Sequence, residues 1–318
     1  WYGDQKPSLW ARMLSKVFAQ LSALRRTLYK TGIFRSTQLK VPVIIIGNIT
    51  AGGGGKTPMV IWLVNHLKEL GYKPGIISRG YGGKRKVEPM FVTPHADPQA
   101  SGDEPLLMAQ MTQAPVMVGK DRCKAGKQLI SQYNVNFIVS DDGMQHYALK
   151  RDAEVVMLDA NWKTGNNMYL PAGPLREPLT RLSEVDLVIY KGLIENEHGY
   201  QLGIDTVYPL GHPSQASDIN KFRNQKIHAV AGIANPNSFF RLLAQNGLAI
   251  IKKPLPDHHQ ISEHDLTFDD EYPIMITEKD AVKCQNLKIK NVWVVRLKTE
   301  FQIETVSAIN DIIERIKS

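Results

Sequence analysis

The chain alternates short apolar runs with segments in which apolar residues recur every three or four positions. The first run, Val43–Ile46, consists of β-branched residues, which is typical of a strand buried on both faces of a parallel sheet. A segment with helical spacing follows at Met59–Leu70. This alternation predicts an α/β protein with parallel sheets flanked by helices. Further strands are predicted at Gly75–Ser78, Ala114–Val118, Asn136–Ser140, Glu154–Asp159, Val185–Tyr190, Ile227–Val230, Ile250–Lys253, Ile274–Ile276 and Val292–Val295.

The first forty residues carry a different pattern. From Ser8 to Lys30 apolar residues recur at helical spacing, and no acidic residue occurs from Ser8 to Lys40. An apolar stripe with a basic polar face is typical of a helix that lies in a membrane interface. Trp1, Tyr2 and Trp10 favour this interpretation, because tryptophan and tyrosine concentrate at membrane surfaces. An ordinary amphipathic helix packed on the protein is the alternative.

These patterns divide the chain into three parts. Residues 1–40 form the amphipathic helix and its lead-in, residues 41–222 a larger α/β domain, and residues 223–318 a smaller one. Lys191–Asn220 is polar and contains several glycines, so we expect it to be irregular and to hold the domain boundary. An amphipathic helix is also predicted at Thr305–Ile316.

Composition limits the possible partners. The 318 residues carry a formal net charge of +8, which indicates an anionic partner such as a nucleotide, a nucleic acid or an acidic membrane. The two cysteines are too few for a disulfide framework, which favours a reducing, cytosolic setting. No apolar run reaches the roughly 18 residues that a membrane-spanning helix needs.

A glycine-rich loop joins the first predicted strand to the helix after it. Four consecutive glycines precede Lys56 and Thr57, and a loop of this kind between a strand and a helix binds phosphates through its backbone N–H groups. Lys56 would reach the outer phosphates and the Thr57 hydroxyl would bind Mg²⁺. Thr50 stands where the general pattern has its first glycine. The predicted ATP-binding residues are Thr50, Ala51, Gly52, Gly53, Gly54, Gly55, Lys56 and Thr57.

Two pairs of acidic residues lie at the ends of later predicted elements. Asp141 and Asp142 come at the tip of a buried strand, where this class of fold holds Mg²⁺. Asp103 and Glu104 stand at the start of a predicted helix, where they are either capping acids or catalytic residues.

Three further loops combine basic, aromatic or imidazole groups with turn residues. Arg79 and Tyr81 lie in SRGYGGK at the end of the second strand, the edge at which α/β sheets bind ligands. Arg176 and Glu177 lie in the proline-rich PAGPLREP, where residue types alone indicate no more than an ion pair or a cap. The adjacent histidines of the DHH segment lack the spacing of a metal site, and a single base is the better interpretation.

Taken together, seven motifs from Gly47 to Cys284 resemble the tetraacyldisaccharide 4′-kinases, the lipid A 4′-kinases. They read GNITAGGGGKTP, SRGYGGK, GDEP, DDGMQH, PAGPLREP, DHH and TEKDAVKC, in that order. Met144 replaces the usual phenylalanine and Gly54 a more frequent threonine or serine. The resemblance implies a P-loop NTPase-type parallel sheet flanked by helices, with a second, smaller α/β domain and an amphipathic N-terminal helix.

The resemblance also implies an activity. The γ-phosphate of ATP would pass to the 4′-hydroxyl of a tetraacylated glucosamine disaccharide 1-phosphate, with Mg²⁺ as cofactor. The enzyme would be a peripheral protein on the cytoplasmic face of the inner membrane. Its partners would be the lipid A precursor and the anionic membrane surface, with neither nucleic acid nor an obligate protein partner.

Residue roles follow from the matched motifs. Asp103, His258 and Lys56 would be catalytic, with His258 preferred to His259 as the partner of Asp103. The implied metal ligands are Thr57, Asp142, Asp141 and Glu177. The implied substrate-binding residues are Arg79, Tyr81, Glu104 and Arg176.

Two other functional classes remain open on sequence alone. One is a soluble P-loop ATPase or ATP-dependent ligase acting on a small anionic substrate, and the other is a basic nucleotide-sensing module without catalysis. Asp103→Ala separates them from the lipid kinase, because only the kinase should lose phosphate transfer while still binding ATP.

Overall fold

The computed structural model describes residues 1–2, 6–284, 287 and 289–317. Ser318, with which the predicted third part of the chain ends, lies outside them. The helices are α1 (Leu9–Lys30), α2 (Lys56–Glu69), α3 (Pro98–Ser101), α4 (Asp103–Thr112), α5 (Arg122–Tyr133), α6 (Pro236–Gln245), α7 (Glu278–Ala281) and α8 (Ile303–Lys317). The strands are β1 (Val43–Gly47), β2 (Pro74–Ser78), β3 (Met90–Val92), β4 (Val116–Val118), β5 (Phe137–Asp141), β6 (Ala153–Asp159), β7 (Leu187–Lys191), β8 (Gly199–Pro209), β9 (Lys226–Ala231), β10 (Ala249–Pro254), β11 (Ile274–Thr277) and β12 (Val292–Phe301).

One sheet runs through the described chain, in the order β10-β9-β11-β12-β8-β7-β6-β1-β5-β2-β4-β3. Its strands pair in parallel except at β12 with β8 and at β3 with β4. The short antiparallel strand β3 was not predicted. The α/β class with parallel pairing was predicted correctly, but the strands of both halves belong to one continuous sheet.

Strand β1 lies at the centre of the first half, between β5 and β6. All five of its residues are buried. Ile44 and Ile46 pack with α2, whereas Val43 and Ile45 belong to the core on the opposite face. The β-branched run therefore forms the two-sided strand that its sequence predicts, and the glycine-rich loop emerges from the middle of the sheet edge.

The expectation of irregular structure at Lys191–Asn220 was wrong. Residues 199–209 form β8, which pairs antiparallel with β12 from Trp293 to Phe301. Strand β12 is accordingly longer than the predicted Val292–Val295. Short 3₁₀ helices follow β8, at Pro213–Gln215 and Ile219–Phe222.

The last helix returns to the first half of the protein. Ile309, Ile312 and Ile313 of α8 are buried in the same core as α2 and the inner face of β1. Asn310 adds a hydrogen-bonding contact, with its Oδ1 2.7 Å from His66 Nε2 of α2. The last helix therefore completes the hydrophobic core that α2 and β1 form in the first half of the chain.

Helix α1 packs on the protein by one face and leaves its apolar stripe outside. Ser15 is buried and donates to the carbonyl oxygen of Tyr169 at 2.8 Å. The opposite face exposes large apolar side chains, including Trp10 at 75% of its surface and Leu21 at 62%. No helix in the described part of the chain has the length and apolarity needed to cross a membrane. The exposed stripe comprises Leu9, Trp10, Met13, Leu14, Val17, Leu21 and Leu24.

Candidate active site

The glycine-rich loop folds as a strand-to-helix turn. Gly52 and Gly55 have positive φ, of 118° and 79°, and Gly55 caps the N-terminus of α2. Thr50, which stands at the position of the first glycine, donates to Asn48 Oδ1 at 2.9 Å through both its N–H and its hydroxyl. A Cβ at Gly54 would collide with the same asparagine side chain. A glycine-rich loop that leads into a helix N-terminus in this way suits an anion such as a phosphate.

A residue that sequence reasoning missed fixes this loop. The hydroxyl of Tyr200, in β8, donates to the Gly55 carbonyl oxygen at 2.9 Å. Tyr200 is fully buried, and burial raises the pKa of its hydroxyl, which therefore stays a donor. The alternation of Tyr200, Leu202 and Ile204 with polar or small residues was a strand signal that could have found it.

Lys56 and Asp142, which follows β5 directly, meet beside the loop. Lys56 Nζ lies 3.4 Å from Asp142 Oδ1, and Arg176 Nη2 lies 2.7 Å from the same oxygen. Burial alone would raise the pKa of Asp142, but Lys56 and Arg176 lower it well below its ordinary value. The structure therefore brings together Lys56, Asp142 and Arg176, three residues singled out in the sequence.

Asp141 is buried with one carboxylate oxygen unpaired. Its Oδ2 accepts a hydrogen bond from Ser78 at 2.8 Å, whereas Oδ1 has no partner within the described residues. Burial, with the negative charges of Glu104 and Asp142, raises the pKa of Asp141 to about 6. A buried, unpaired carboxylate oxygen is costly, and a bound cation would relieve that cost. Carboxylate and hydroxyl oxygens are the donors that Mg²⁺ prefers, so Asp141 and its neighbours fit this ion.

Asp103 and His258 meet across the two halves of the chain. Asp103 is the first residue of α4, and its Oδ2 lies 3.3 Å from His258 Nδ1. His259 instead lies with its Nε2 3.1 Å from Asp265 Oδ2. The structure thus brings His258, and not its neighbour, to the candidate catalytic acid.

A cavity of about 320 Å³ opens at this pair. Tyr81 contributes to its wall, with its ring centroid 5.8 Å from that of His258. The lining combines polar groups with apolar surface in similar shares, which suits a sugar ring with its hydroxyl groups and C–H faces. Its lining residues are Tyr81, Gly82, Lys84, Pro98, Gln99, Gly102, Asp103, His258 and Gln260.

Three other predicted site residues, Arg79, Glu104 and Glu177, make contacts outside the Lys56–Asp142 and Asp103–His258 pairs. Arg79 is exposed, and its carbonyl oxygen accepts a hydrogen bond from Arg85. Glu104 pairs with Lys279, whose Nζ lies 2.9 Å from its Oε1. Tyr147 donates to Glu177 Oε1 at 2.7 Å, and Arg26 of α1 lies 3.9 Å from Oε2. The Glu177 carboxylate is thus held by a tyrosine and an arginine, whereas its predicted role requires contact with a metal.

Arg122 is a second residue that the sequence analysis did not select. It follows β4 in the chain and is only 5% exposed. Burial lowers the pKa of Arg122, while the charges of Asp141 and Asp142 oppose that shift. Its guanidinium therefore adds positive charge near the two acids. The one available signal was its position after a strand end at the ligand-binding edge.

Another group of possible metal ligands lies apart from these acids. It contains one potential ligand atom from each of Asp121, Cys123 and His146, and these three atoms lie within 4.8 Å of one another. Burial and the nearby charges of Arg122 and Arg151 lower the pKa of His146 to about 4. Because these arginines oppose a cation as they oppose a protonated imidazole, we assign no metal to this group.

Comparison with known proteins gives one consistent relationship. The family model described as tetraacyldisaccharide-1-P 4′-kinase matches residues 7–316. The tetraacyldisaccharide 4′-kinase of Methylobacillus flagellatus is 46% identical over 303 residues, which cover 94% of this chain and 90% of that protein. The enzyme of the same name from Coxiella burnetii is 40% identical over 322 residues, covering 99% and 95%.

A solved structure agrees with these relatives. The crystal structure of LpxK from Aquifex aeolicus in complex with ATP matches with a TM-score of 0.80 and 27% sequence identity, covering 96% of this chain and 98% of that one. This likeness confirms the predicted fold class. By the match along nearly its whole length and by these relatives, the chain belongs to the tetraacyldisaccharide 4′-kinase family.

Proposed function

We propose that this protein transfers the γ-phosphate of ATP to the 4′-hydroxyl of a tetraacylated glucosamine disaccharide 1-phosphate, a lipid A precursor. The observation that carries the proposal is the contact of Asp103 with His258 in the wall of a cavity of about 320 Å³. Membership of the tetraacyldisaccharide 4′-kinase family supports the choice of acceptor.

Asp103 would act as the general base. A sugar hydroxyl is barely acidic, so a carboxylate must accept its proton while the phosphoryl group moves. The 4′-oxygen forms a bond to the γ-phosphorus, the bond from that phosphorus to the bridging oxygen breaks, and ADP leaves. The proton goes to the Asp103 carboxylate, and His258 orients that carboxylate through its Nδ1.

The phosphates of ATP would lie on the glycine-rich loop. Backbone N–H groups of Gly52, Gly53, Gly55, Lys56 and Thr57 would bind their oxygens, and Lys56 would add a positive charge on the outer phosphates. The N–H groups of Thr50 and Ala51 instead donate to Asn48 and Pro174 and hold the loop in place. Arg176 and Arg122 place further positive charge on the side of Asp142. These fixed charges stabilise the negative charge that spreads over the transferring group.

Thr57, Asp142 and Asp141 would hold Mg²⁺. When bound, the ion neutralises charge on the phosphates and orients them for in-line transfer. Glu177 stays a predicted fourth ligand, and its carboxylate accepts a hydrogen bond from Tyr147 and lies 3.9 Å from Arg26.

The acceptor sugar would occupy the cavity beside Asp103. Tyr81 lines it, and its 73% exposed side chain is available to stack on a sugar ring. Arg79, in the same loop, is exposed and available to a phosphate of the substrate. Glu104 and Arg176 are the other two predicted substrate-binding residues. Glu104 would act from its ion pair with Lys279.

The apolar stripe of α1 would dock on the membrane that contains the substrate. Acyl chains keep such a substrate in the bilayer, so the enzyme has to bind there. The exposed basic residues Arg12, Lys16 and Arg25 would attract anionic headgroups on the cytoplasmic face of the inner membrane. The protein would accordingly work as a peripheral enzyme.

Transfer of labelled γ-phosphate to the disaccharide 1-phosphate in detergent micelles tests the proposal. Wild type should produce labelled lipid, and Lys56→Ala should lose it. Asp103→Asn should lower the rate by about 100-fold or more while ATP binding persists, because it removes the general base. Asp311→Asn, on the exposed face of α8, is the matched control and should leave the rate unchanged. ATP hydrolysis by wild type without labelled lipid would instead support the ATPase or ligase alternative.

A further inference from the structure

Charged side chains from three segments meet beside the Asp103–His258 pair. Lys279 of α7 lies at the centre, with its Nζ 2.9 Å from Glu104 Oε1 and 3.6 Å from Asp257 Oδ1. Glu104 follows Asp103 in α4, and Asp257 precedes His258 after β10. One lysine therefore contacts the chain neighbours of both members of the pair.

We propose that Lys279 is a positioning residue for phosphoryl transfer, which holds Glu104 and Asp257 so that His258 meets Asp103. This inference rests on the function proposed above and deepens it. Lys279 does not line the cavity at the pair. Its effect would pass through the two carboxylates.

The backbone of His258 shows why such support is needed. Its φ of 59° lies in the left-handed region, which non-glycine residues adopt uncommonly and at some cost in energy. Asp257 Oδ1, the oxygen that faces Lys279, also accepts the His258 N–H at 3.0 Å. Asp257 Oδ2 lies 3.7 Å from the other ring nitrogen, Nε2. Fixing Asp257 therefore fixes both the backbone and the ring of His258.

The charge of Lys279 is as important as its position. Burial would lower the pKa of Lys279, but the carboxylates of Glu104, Asp257 and Asp103 together raise it, so the ammonium persists across the working pH range. Without this cation, three carboxylates and His258 would face one another in a partly buried cluster. Like charges in such a site favour protonation of the acids, and a protonated base accepts no proton.

Helix α7 is anchored firmly enough to serve as the support. Thr277 caps it by accepting the Asp280 N–H at 3.1 Å. Asp280 and Lys283 form a fully buried ion pair at 2.7 Å, and Asp280 also accepts the Gly232 N–H. Lys279 thus projects from a fixed turn of the second half onto α4 of the first half, and its side chain is only 17% exposed.

Kinetics of Lys279 variants against pH test the inference. Lys279→Met should lower kcat by about 10- to 100-fold, since small misplacements of catalytic groups have effects of this size. The KM for ATP should change by less than about twofold, because the phosphate site is untouched. The acid limb of the pH profile should move to higher pH, and Lys279→Arg should recover most of the rate. Lys298→Met is the control, because Lys298 forms an exposed ion pair with Glu300 on β12 and should match wild type.

A double variant separates positioning from independent damage. If Lys279 acts through Glu104, the loss in kcat of Lys279→Met combined with Glu104→Gln should not exceed that of the more severe single variant. Should Lys279→Met fail to fold, Glu104→Gln and Asp257→Asn carry the same expectation for kcat and the pH profile.

Three results would overturn the inference while leaving the proposed function intact. They are additive losses in the double variant, an unchanged acid limb, and a Lys279→Arg variant no better than Lys279→Met. By contrast, a wild-type protein that makes no labelled lipid would refute the proposed function itself.

Discussion

Gly55 of the phosphate-binding loop meets two separate constraints. Its φ of 79° lies in the region that L-residues rarely adopt. A Cβ at this position would also collide with the buried hydroxyl of Tyr200. Neither constraint applies at Gly53. Its φ is not in the left-handed region, and a Cβ there would lie 3.6 Å from the nearest side-chain atom, the Cβ of Ala234. We therefore expect the loop to tolerate a side chain at Gly53 but not at Gly55.

Gly55→Ala should consequently destabilise the protein far more than Gly53→Ala. Strain at the positive φ costs about 1–3 kcal/mol, and the displaced Tyr200 hydroxyl adds the loss of its hydrogen bond, about 1 kcal/mol. Urea unfolding of both variants measures the difference. Equal free energies of unfolding for the two would show that the loop relaxes around the new methyl group.

Glu278, in α7, is a buried carboxylate whose charge opposes folding. Burial raises its pKa from 4.5 to about 7, even though the Leu297 N–H and the Arg296 guanidinium donate to it. The native state thus holds the proton more tightly than the unfolded chain. The free energy of unfolding should therefore fall as the pH rises from about 4.5 to about 7.

Glu278→Gln should remove this dependence on pH. At about pH 8.5 the variant should exceed wild type in free energy of unfolding by up to about 3 kcal/mol, and at about pH 4.5 by little. Urea unfolding at the two pH values provides the measurement. Glu300→Gln, at an exposed position of β12, should change little at either pH. A gain from Glu278→Gln that is the same at both pH values would contradict the explanation.

At the scale of elements, β8 shows how a strand escapes a search for continuous apolar runs. Parallel strands covered on both faces contain continuous apolar stretches, such as Val43–Ile46 in β1 and Val155–Leu158 in β6. Strand β8 is antiparallel to β12 and mostly half-buried, so its apolar residues alternate with polar ones. The missed strand supplies Tyr200, which links the phosphate-binding loop to the second half of the sheet.

Helix α1 gives the prediction that belongs to a single element. Its outward stripe should insert into anionic vesicles, so Leu14→Glu combined with Leu21→Glu should weaken vesicle binding by about 10-fold or more. Cosedimentation with vesicles that contain an anionic phospholipid measures it. Ile303→Glu, at a position of α8 that is 83% exposed, is the control and should bind like wild type. Unchanged binding of the α1 variant would favour a helix that only packs on the protein.

In the whole molecule, the pairing of strands determines which segments fold together. The domain boundary between residues 222 and 223 stays a prediction, but it separates β8 from its partner β12. It also assigns α8 to the second half, although that helix completes the core of the first. In contrast, β7 and β8 pair at only two positions, Tyr190 with Gly199 and Lys191 with Tyr200.

A fragment of residues 199–302 should therefore fold more readily than one of residues 223–318. The first keeps the ladder of β8 with β12 and leaves out α8, whereas the second lacks β8 and exposes the apolar face of α8. Circular dichroism and urea unfolding of both fragments measure this. Cooperative unfolding of the 223–318 fragment alone would support the boundary predicted from the sequence.

Much of the candidate site could be predicted from local sequence. The run of glycines before Lys56 and the acids after β5 follow from the chemistry of phosphate and Mg²⁺. Lys279 could not be predicted in this way, because its partners Glu104 and Asp257 are distant in sequence. Arg122 and Tyr200 likewise gain their roles from burial against segments far away in the chain.

Most strands and helices, the phosphate-binding loop and the amphipathic first helix can be predicted from the sequence, because they depend on residues within one or two turns of each other. Three features follow from contacts in the folded protein: one sheet joins both halves, α8 packs in the core formed by α2 and β1, and His258 rather than His259 contacts Asp103. The last two outcomes depend on contacts across a hundred residues or more, and the sheet is continuous because β8 pairs with both β7 and β12. Such pairings are selected by the burial of shared apolar surface and by the pairing of buried charges, neither of which a local pattern contains.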